Sequence, residues 1–415
     1  MLDIKFIREN PELVAKAIKD KNEKADLNTL LNLDKRKREL QFEYDELRAY
    51  QNKVSQKIGE LKRKQEDTKD IIAEMKDVAA KVKLLASKLS DVKDDLETEL
   101  LTIPNLPHKE APIGNSEDDN VLIREWGSKP EFGFKPRNHL EIAQKNNFLD
   151  FERAAKISGS GFAAYTGVGA KLERALINFM LDLHTKENNY KEISVPYIVS
   201  RDTMIGTGQL PKLENDMYNI EADDLFLIPT SEVSVTNFFA DEIINYNSLP
   251  VKFVSYSPCF RREAGSHGKE TKGLKRIHQF NKVELVRIVE PARSYQALEK
   301  MVTEAEMVLK TLGLHYRVLK LATGDMSFAS SLTYDIEVWA PGAEEYLEVS
   351  SLSNFESFQA RRSKMRYRDV DNNLEYPHTL NGSGLATPRL FIALLETYQQ
   401  KDGEFKPPDI LSPYL

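Results

Sequence analysis

The chain has 415 residues, enough for two or three domains, and its 41% hydrophobic content supplies a sizeable core. A net charge of −7 argues against a general attraction to nucleic acid, so a polyanion has to bind at a local basic patch. The single cysteine, Cys259, excludes an internal disulfide framework and a multi-cysteine zinc site and suits a reducing cytoplasm; the charged start MLDIKFIREN lacks a signal-like apolar segment, and no membrane-spanning apolar run is present.

Residues 3–21 pattern as a short amphipathic helix with Ile4, Ile7, Val14 and Ile18 inward. The next region is the most regular. Leu33, Leu40, Leu47, Val54 and Leu61 recur every seven residues, with Leu30, Tyr44 and Ile58 three positions ahead of members of that series. KQEDTKD interrupts, and then Met75, Val82, Leu89 and Leu96 recur with Ile71, Val78, Leu85 and Val92 between them. Two such heptad series predict an antiparallel coiled-coil hairpin over about 27–101, with each helix roughly 50 Å long. From Lys35 to Lys64 there are ten Lys or Arg and five Asp or Glu, an excess of +5. Such an arm is either an ordinary solvated coiled coil or a basic grip on a phosphate backbone.

Residues 106–138 carry several prolines and the acidic SEDD and are expected to be a linker between an N-terminal domain, 1–105, and a second domain, 139–415. In the second domain, helical stretches such as AKLERALINFMLDLHT mix with strand-like runs such as VKFVSYSPCF, HQFNKVELVRIV, YDIEVWA and YLEVSSLS. These strands follow one another without regular crossover helices, which predicts an α+β fold around a mostly antiparallel sheet. Neither a P-loop nor a GxGxxG fingerprint occurs.

Between two of those strands lies CFRREAGSHGKETKGLKRIHQF, residues 259–280. It combines Arg261, Arg262, Lys269, Lys272, Lys275 and Arg276 with three glycines, and is either a solvated hairpin tip or a receptor for a polyphosphate. By two-residue alternation Arg276, Phe280 and Glu284 share one face, as do Arg261 and Glu263. Guanidinium groups suit phosphate, an aromatic face suits a base, and a carboxylate suits an ammonium group. A salt-bridged sheet face explains any one of these residues but leaves Phe280 exposed among charges.

This segment resembles the second signature motif of the class II aminoacyl-tRNA synthetases in their seryl-tRNA synthetase form. NGSGLATPRLFIALLE, residues 381–396, is similar to the third motif, and LERALINFMLDLHTKENNYKEISVP to the first, which builds a dimer interface in that family. IPTSEV, SSLTYDIEVWAP, YLEVSSLSNFESFQARR and the opening MLDIKFIRENPEL are similar as well, so the resemblance covers essentially the whole chain. It implies a class II catalytic domain with a tRNA-binding coiled-coil arm. It also implies activation of L-serine with ATP and transfer of the seryl group to the 3′ end of tRNA(Ser), in a cytoplasmic homodimer. A selenocysteine-type tRNA stays open as a further substrate. A carrier-protein ligase, a threonine enzyme and a non-enzymatic RNA-binding scaffold are the rivals.

The resemblance also implies residue roles. Arg261 meets the α-phosphate and the substrate carboxylate, Arg262 and Glu263 belong to the ATP site, Phe280 and Arg389 cover the two faces of adenine, and Arg276 meets the outer phosphates. Glu348 and Ser351 hold Mg2+, with Val349 and Ser350 beside them in the ATP site. Thr230, Ser231, Glu232, Glu284 and Ser383 form the serine pocket, and Arg261 and Arg389 are the catalytic residues. Several alternatives stay open: Thr230 as a helix cap, Ser383 in a flexible Gly-Ser-Gly turn, and Glu348 and Ser351 on opposite faces unless a bulge intervenes. Cys259 is expected to be a buried filler and His278 a sheet-face residue. Thr387 and Pro388 depart from the small or apolar residue and glycine common in the family, and TSE has serine where alanine is common.

Overall fold

The computed structural model describes residues 1–264 and 273–415, so Lys269 and Lys272 lie outside the described residues. It divides into two units: Leu2–Lys19 with Glu23–Pro104, and Met1, Asp20–Asn22 and Asn105–Leu415.

The first unit is helical. Two short helices, α1 (Ile4–Glu9) and α2 (Pro11–Asp20), precede the long α3 (Leu27–Arg63) and α4 (Lys69–Leu101). Asp26 caps α3 by accepting the amide of Thr29 at 3.0 Å. The heptad positions form the seam. Leu30, Leu40, Met75, Val78, Val82, Leu89 and Leu96 are buried, and Tyr44, Leu47, Val54, Ile58 and Ile71 pack around the Met75–Val78–Val82 cluster. Asp34, also buried, is held by Arg8 at 3.0 Å and Arg38 at 3.1 Å. Arg48, Lys53, Lys57 and Lys62 are exposed.

The second unit is built on eight strands, here β1 (Val121–Trp126), β2 (Lys191–Glu192), β3 (Val251–Phe260), β4 (Gln279–Val289), β5 (Tyr316–Lys320), β6 (Leu332–Ala340), β7 (Glu345–Asn354) and β8 (His378–Ala386). Their order is β1-β5-β6-β7-β8-β4-β3-β2, antiparallel throughout except for the β2/β3 edge. Helices α5 (Val168–Lys186), α7 (Ser294–Thr311) and α8 (Thr387–Thr397) contribute to the main core with the sheet; α6 (Glu232–Thr236) is a short helix beside the site.

Three features differ from expectation. The proline-rich 106–138 stretch contains β1, the edge strand paired to β5. Its β-branched VLIREW run is short enough to be masked by the flanking prolines. Second, Leu172, Leu176, Phe179 and Met180 of α5 are buried in the chain's own core and Leu183 is partly buried against it. They are core residues of this chain and so leave no surplus apolar face for the dimer interface that the resemblance to the first motif implied for this segment. Third, Gly-Ser-Gly at 382–384 is no turn but the middle of β8. A Cβ on Gly382 would sit 2.6 Å from Leu352 Cγ, and one on Gly384 2.8 Å from His184 Nε2, so close packing requires both glycines.

Candidate active site

A cleft of about 560 Å³ opens over β4, β7 and β8, lined by residues from all three strands, from the start of α8 and from the segments flanking the 259–280 connection. Most residues singled out from the sequence meet there: Thr230, Glu232, Arg261, Glu263, Arg276, Phe280, Glu284, Glu348, Val349, Ser351, Ser383 and Arg389. Ser231, Arg262 and Ser350 do not line it. Ser231 is buried, Arg262 is exposed, and the Ser350 hydroxyl donates to the Ser383 carbonyl at 2.6 Å, supporting the strand from behind.

The β3/β4 pairing is regular from Gln279↔Phe260 to Ile288↔Val251, so Phe280, Lys282 and Glu284 share one face. Arg261, Glu263 and Arg276 do not obey that alternation, because β3 ends at Phe260 and β4 begins at Gln279. They reach the cleft from irregular backbone, and Glu263 takes a left-handed conformation with φ 51°. His278 pins the two ends together through Nδ1, 3.0 Å from the Arg261 carbonyl. Cys259 is fully buried, and burial raises its thiol pKa.

The bulge that Glu348 and Ser351 require is present. Ile336 pairs with Ser350 but Glu337 pairs with Glu348, so β7 carries one extra residue there. Both side chains therefore line the cleft. Behind them stands Asp335, opposite Ser351, with one carboxylate oxygen buried and unpartnered among the described residues. Burial, reinforced by Glu348, raises its pKa well above the carboxylate range.

The two ends of the cleft differ electrostatically. At one end Arg276 Nη1 rests 3.1 Å from Glu263, and Arg389 Nη1 rests 3.1 Å from the Glu348 carboxylate and 2.9 Å from its carbonyl. The Arg261 guanidinium lies 5.2 Å from the Phe280 ring centroid. At the other end the acids are buried. Lys282 Nζ lies 2.7 Å from Glu284 Oε2, an ion pair without hydrogen-bond alignment, since that oxygen lacks a hydrogen-bond partner among the described residues. Gln359 donates to Glu232 at 2.8 Å. Burial and then Glu284 push the Glu232 carboxyl up to about 7, against the opposing effects of Lys282, Gln359 and Asn381. Thr230 lines the cleft and its hydroxyl accepts the Glu232 amide at 3.2 Å, while the N-cap position of α6 is held by Ser231.

Lys282, Ser353 and Asn381 also line the cleft and were not singled out from the sequence. The parity that joins Phe280 to Glu284 includes Lys282 and could have found it. Nothing local marks Asn381 or Ser353. Below β8, His184 Nε2 is 2.9 Å from the Gly384 carbonyl and Asn188 Nδ2 is 3.2 Å from Nδ1. Burial lowers the His184 pKa to about 4, so the ring is neutral, with Nε2 donating and Nδ1 accepting.

An antiparallel sheet whose face carries these arginines, acids and a stacking ring is the architecture of a class II aminoacyl-tRNA synthetase core. The family profile "tRNA synthetase class II core domain (G, H, P, S and T)" matches residues 214–398, and "Seryl-tRNA synthetase N-terminal domain" matches 1–107. Similar proteins include the serine–tRNA ligases of Geobacter sulfurreducens, 51% identical over all of this chain and 98% of that protein, and of Bacillus subtilis, 50% identical over all of this chain and 98% of that protein. The crystal structure of seryl-tRNA synthetase from Pyrococcus horikoshii complexed with ATP is 35% identical, with a TM-score of 0.92 over all of this chain and 98% of that one. The chain belongs to the seryl-tRNA synthetase family.

Proposed function

We propose that this chain activates L-serine with ATP, giving seryl-adenylate and pyrophosphate, and then passes the seryl group to the 3′ end of tRNA(Ser) in the cytoplasm. The observation that carries this reading is a single cleft with arginines and Phe280 at one end and the buried Glu232–Lys282–Glu284 set at the other. With both acids ionised, that set has one negative charge left over, matched to the ammonium of one amino acid. Thr230 and Ser383 add short hydroxyl groups beside it. Arg261 spans the substrate carboxylate and the α-phosphate, Glu263 meets the adenine amino group, Phe280 and Arg389 enclose the base, and Arg276 takes the outer phosphates.

In the first step a serine carboxylate oxygen attacks the α-phosphorus and the bond to the bridging oxygen of pyrophosphate breaks. No general base is needed, because the carboxylate is ionised at pH 7. The barrier lies in bringing two anions together, and positioned arginines lower it by neutralisation and orientation. In the second step the terminal ribose 3′ hydroxyl attacks the seryl carbonyl and AMP leaves.

Mg2+ fits the residues present. Glu348 and Ser351 offer hard oxygen donors on one face, and behind them lies an Asp335 oxygen that has no hydrogen-bond partner among the described residues. Glu348 and Ser351 would hold the ion, which when bound neutralises phosphate charge. The exposed basic side chains of α3 are assigned to the tRNA backbone, with a selenocysteine-type tRNA as a second substrate of the same arm. A homodimer is part of the reading. It is supported by the exposed apolar Val121, Leu122, Ile123 and Trp126 on the edge strand β1, which leaves one row of backbone groups open to pairing.

Amino-acid-dependent exchange of pyrophosphate into ATP tests the reading. Serine is expected to support exchange, and alanine and threonine to support little, since alanine leaves buried polar groups unpaired. Equal exchange with alanine and serine would overturn the pocket assignment.

A further inference from the structure

We propose that Glu173, on α5 outside the cleft, is a positioning residue for the ATP site, acting through Thr387 and Asn281. Its carboxyl is buried, at 6% exposure. Oε1 receives the Asn281 side-chain amide at 2.9 Å and is hydrogen-bonded to the Thr387 hydroxyl. Asn281 follows Phe280 on β4, and Thr387 opens α8 two residues before Arg389. One carboxyl thus ties together the backbone supports of the two side chains assigned to the faces of adenine.

Hydrogen-bond accounting shows how the tie works. Thr387 has one hydroxyl proton but two acceptors in reach, Glu173 Oε1 and the Asn281 carbonyl at 3.1 Å. A neutral Glu173 resolves the conflict. It donates to Thr387, Thr387 donates to the Asn281 carbonyl, and the start of α8 is bonded to β4 by a directed chain. The surroundings favour that neutral form. Burial pushes the Glu173 carboxyl up to about 7, against the opposing hydrogen bonds of Thr387 and Asn281. The titratable groups beside it are the hydroxyls of Tyr165 and Tyr256, whose pKa values are themselves raised by burial. Tyr256 also orients the Asn281 amide, donating to its oxygen at 3.1 Å. Pro388 removes an amide that the first turn of α8 leaves unpaired in any case, so the anchoring of this helix start falls to Thr387.

This inference rests on the reading that Phe280 and Arg389 hold ATP, and the experiment separates the two. Pyrophosphate exchange with serine is measured first in the wild-type protein; its absence refutes the proposed function itself. Given exchange, Thr387→Val and Glu173→Ala are each expected to raise KM for ATP about tenfold while KM for serine changes less than twofold. The double variant should be no worse than Glu173→Ala, because both changes remove one tie. Glu173→Gln places either a donor or an acceptor at the Oε1 position, so it keeps only one of the Thr387 and Asn281 contacts and should recover the ATP affinity only in part. Should Glu173→Ala fail to fold, Thr387→Val, which keeps the side-chain shape, decides alone. A KM for ATP within twofold of wild type in folded Thr387→Val, or a parallel rise in the KM values for ATP and serine, would overturn the inference.

Discussion

On the proposed assignment of Glu232 to the serine ammonium, serine binding should be sensitive to pH. Its carboxyl is pushed up to about 7 from 4.5, first by burial and then by Glu284. That shift corresponds to a penalty of roughly 3 kcal/mol on the ionised form. The sign follows from linkage. The folded pKa is raised, so this group's stabilising contribution is complete below about 4.5 and is lost as pH rises through 7. An arriving serine ammonium reverses the penalty by pairing with the carboxylate and returning its pKa toward the ordinary value. Serine binding therefore releases a proton below pH 7. Affinity should climb about thirtyfold between pH 5.5 and 8 if the pKa returns fully to 4.5, and most of that climb lies below pH 7.

Calorimetry in buffers of different ionisation enthalpy counts the proton, and KM for serine in exchange assays follows the affinity. Glu232→Gln should flatten the profile and weaken serine binding most above pH 7, where the wild-type acid is charged. The serine-free variant should melt higher than wild type at pH 8, with a gain that shrinks as pH falls. Wild-type affinity constant within twofold from pH 5.5 to 8, with no proton released, would refute the reasoning.

Phe280→Ala should raise KM for ATP by the roughly 1–3 kcal/mol that a base–aromatic stack contributes, with serine affected less; unaltered ATP kinetics in the folded variant would reduce Phe280 to a core residue. Replacing the exposed Arg48, Lys53, Lys57 and Lys62 with glutamine should weaken tRNA binding and lower the slope of log affinity against log salt by about 3 if all four meet phosphates, while serine activation is unchanged. An unchanged slope would make the arm a solvated strut. Sedimentation at micromolar concentration should show a dimer, dissociated by charged substitutions at Leu122 and Ile123; a monomeric wild type refutes the homodimer.

Period and parity carried much of the fold and site into view. The two-helix hairpin was legible because its core is its own: heptad positions such as Leu47 and Val54 pack around Met75, Val78 and Val82, and no distant segment is needed to explain them. Phe280 and Glu284 were legible because β4 is regular and alternation survives along it. What stayed hidden depends on irregular backbone or on distant neighbours. Arg276 lies before its strand begins, so it was legible through the family resemblance and not through alternation. The bulge in β7 is visible only in its pairing with β6. The α5 leucines have the same helical spacing whether they cover their own sheet or a partner's, and the choice appears only when the sheet is in place. Asp335 and Glu173 carry no local sign of burial, since an acid in a strand or on a helix is ordinarily solvated.

On the proposed assignments, the two ends of the cleft suit different tasks. Arg276 with Glu263 and Arg389 with Glu348 are partly solvated pairs, with arginine side chains 33% and 27% exposed and their acids 21% and 46% exposed. Such pairs contribute about 0–1 kcal/mol, so exchanging their carboxylates for phosphates costs little. The pairing also keeps each guanidinium near the cleft before ATP arrives. Lys282 and Glu284 are the reverse, 8% and 2% exposed. Removing either leaves an uncompensated buried charge, a loss of about 3–5 kcal/mol. That pair cannot swing aside for a ligand, so its geometry is set before serine enters. Serine and alanine differ by one hydroxyl, and only a fixed polar wall penalises its absence. Triphosphate offers many oxygens and tolerates adjustable partners. Rigidity is therefore concentrated where discrimination is required, and exchangeable ion pairs where charge alone must be received.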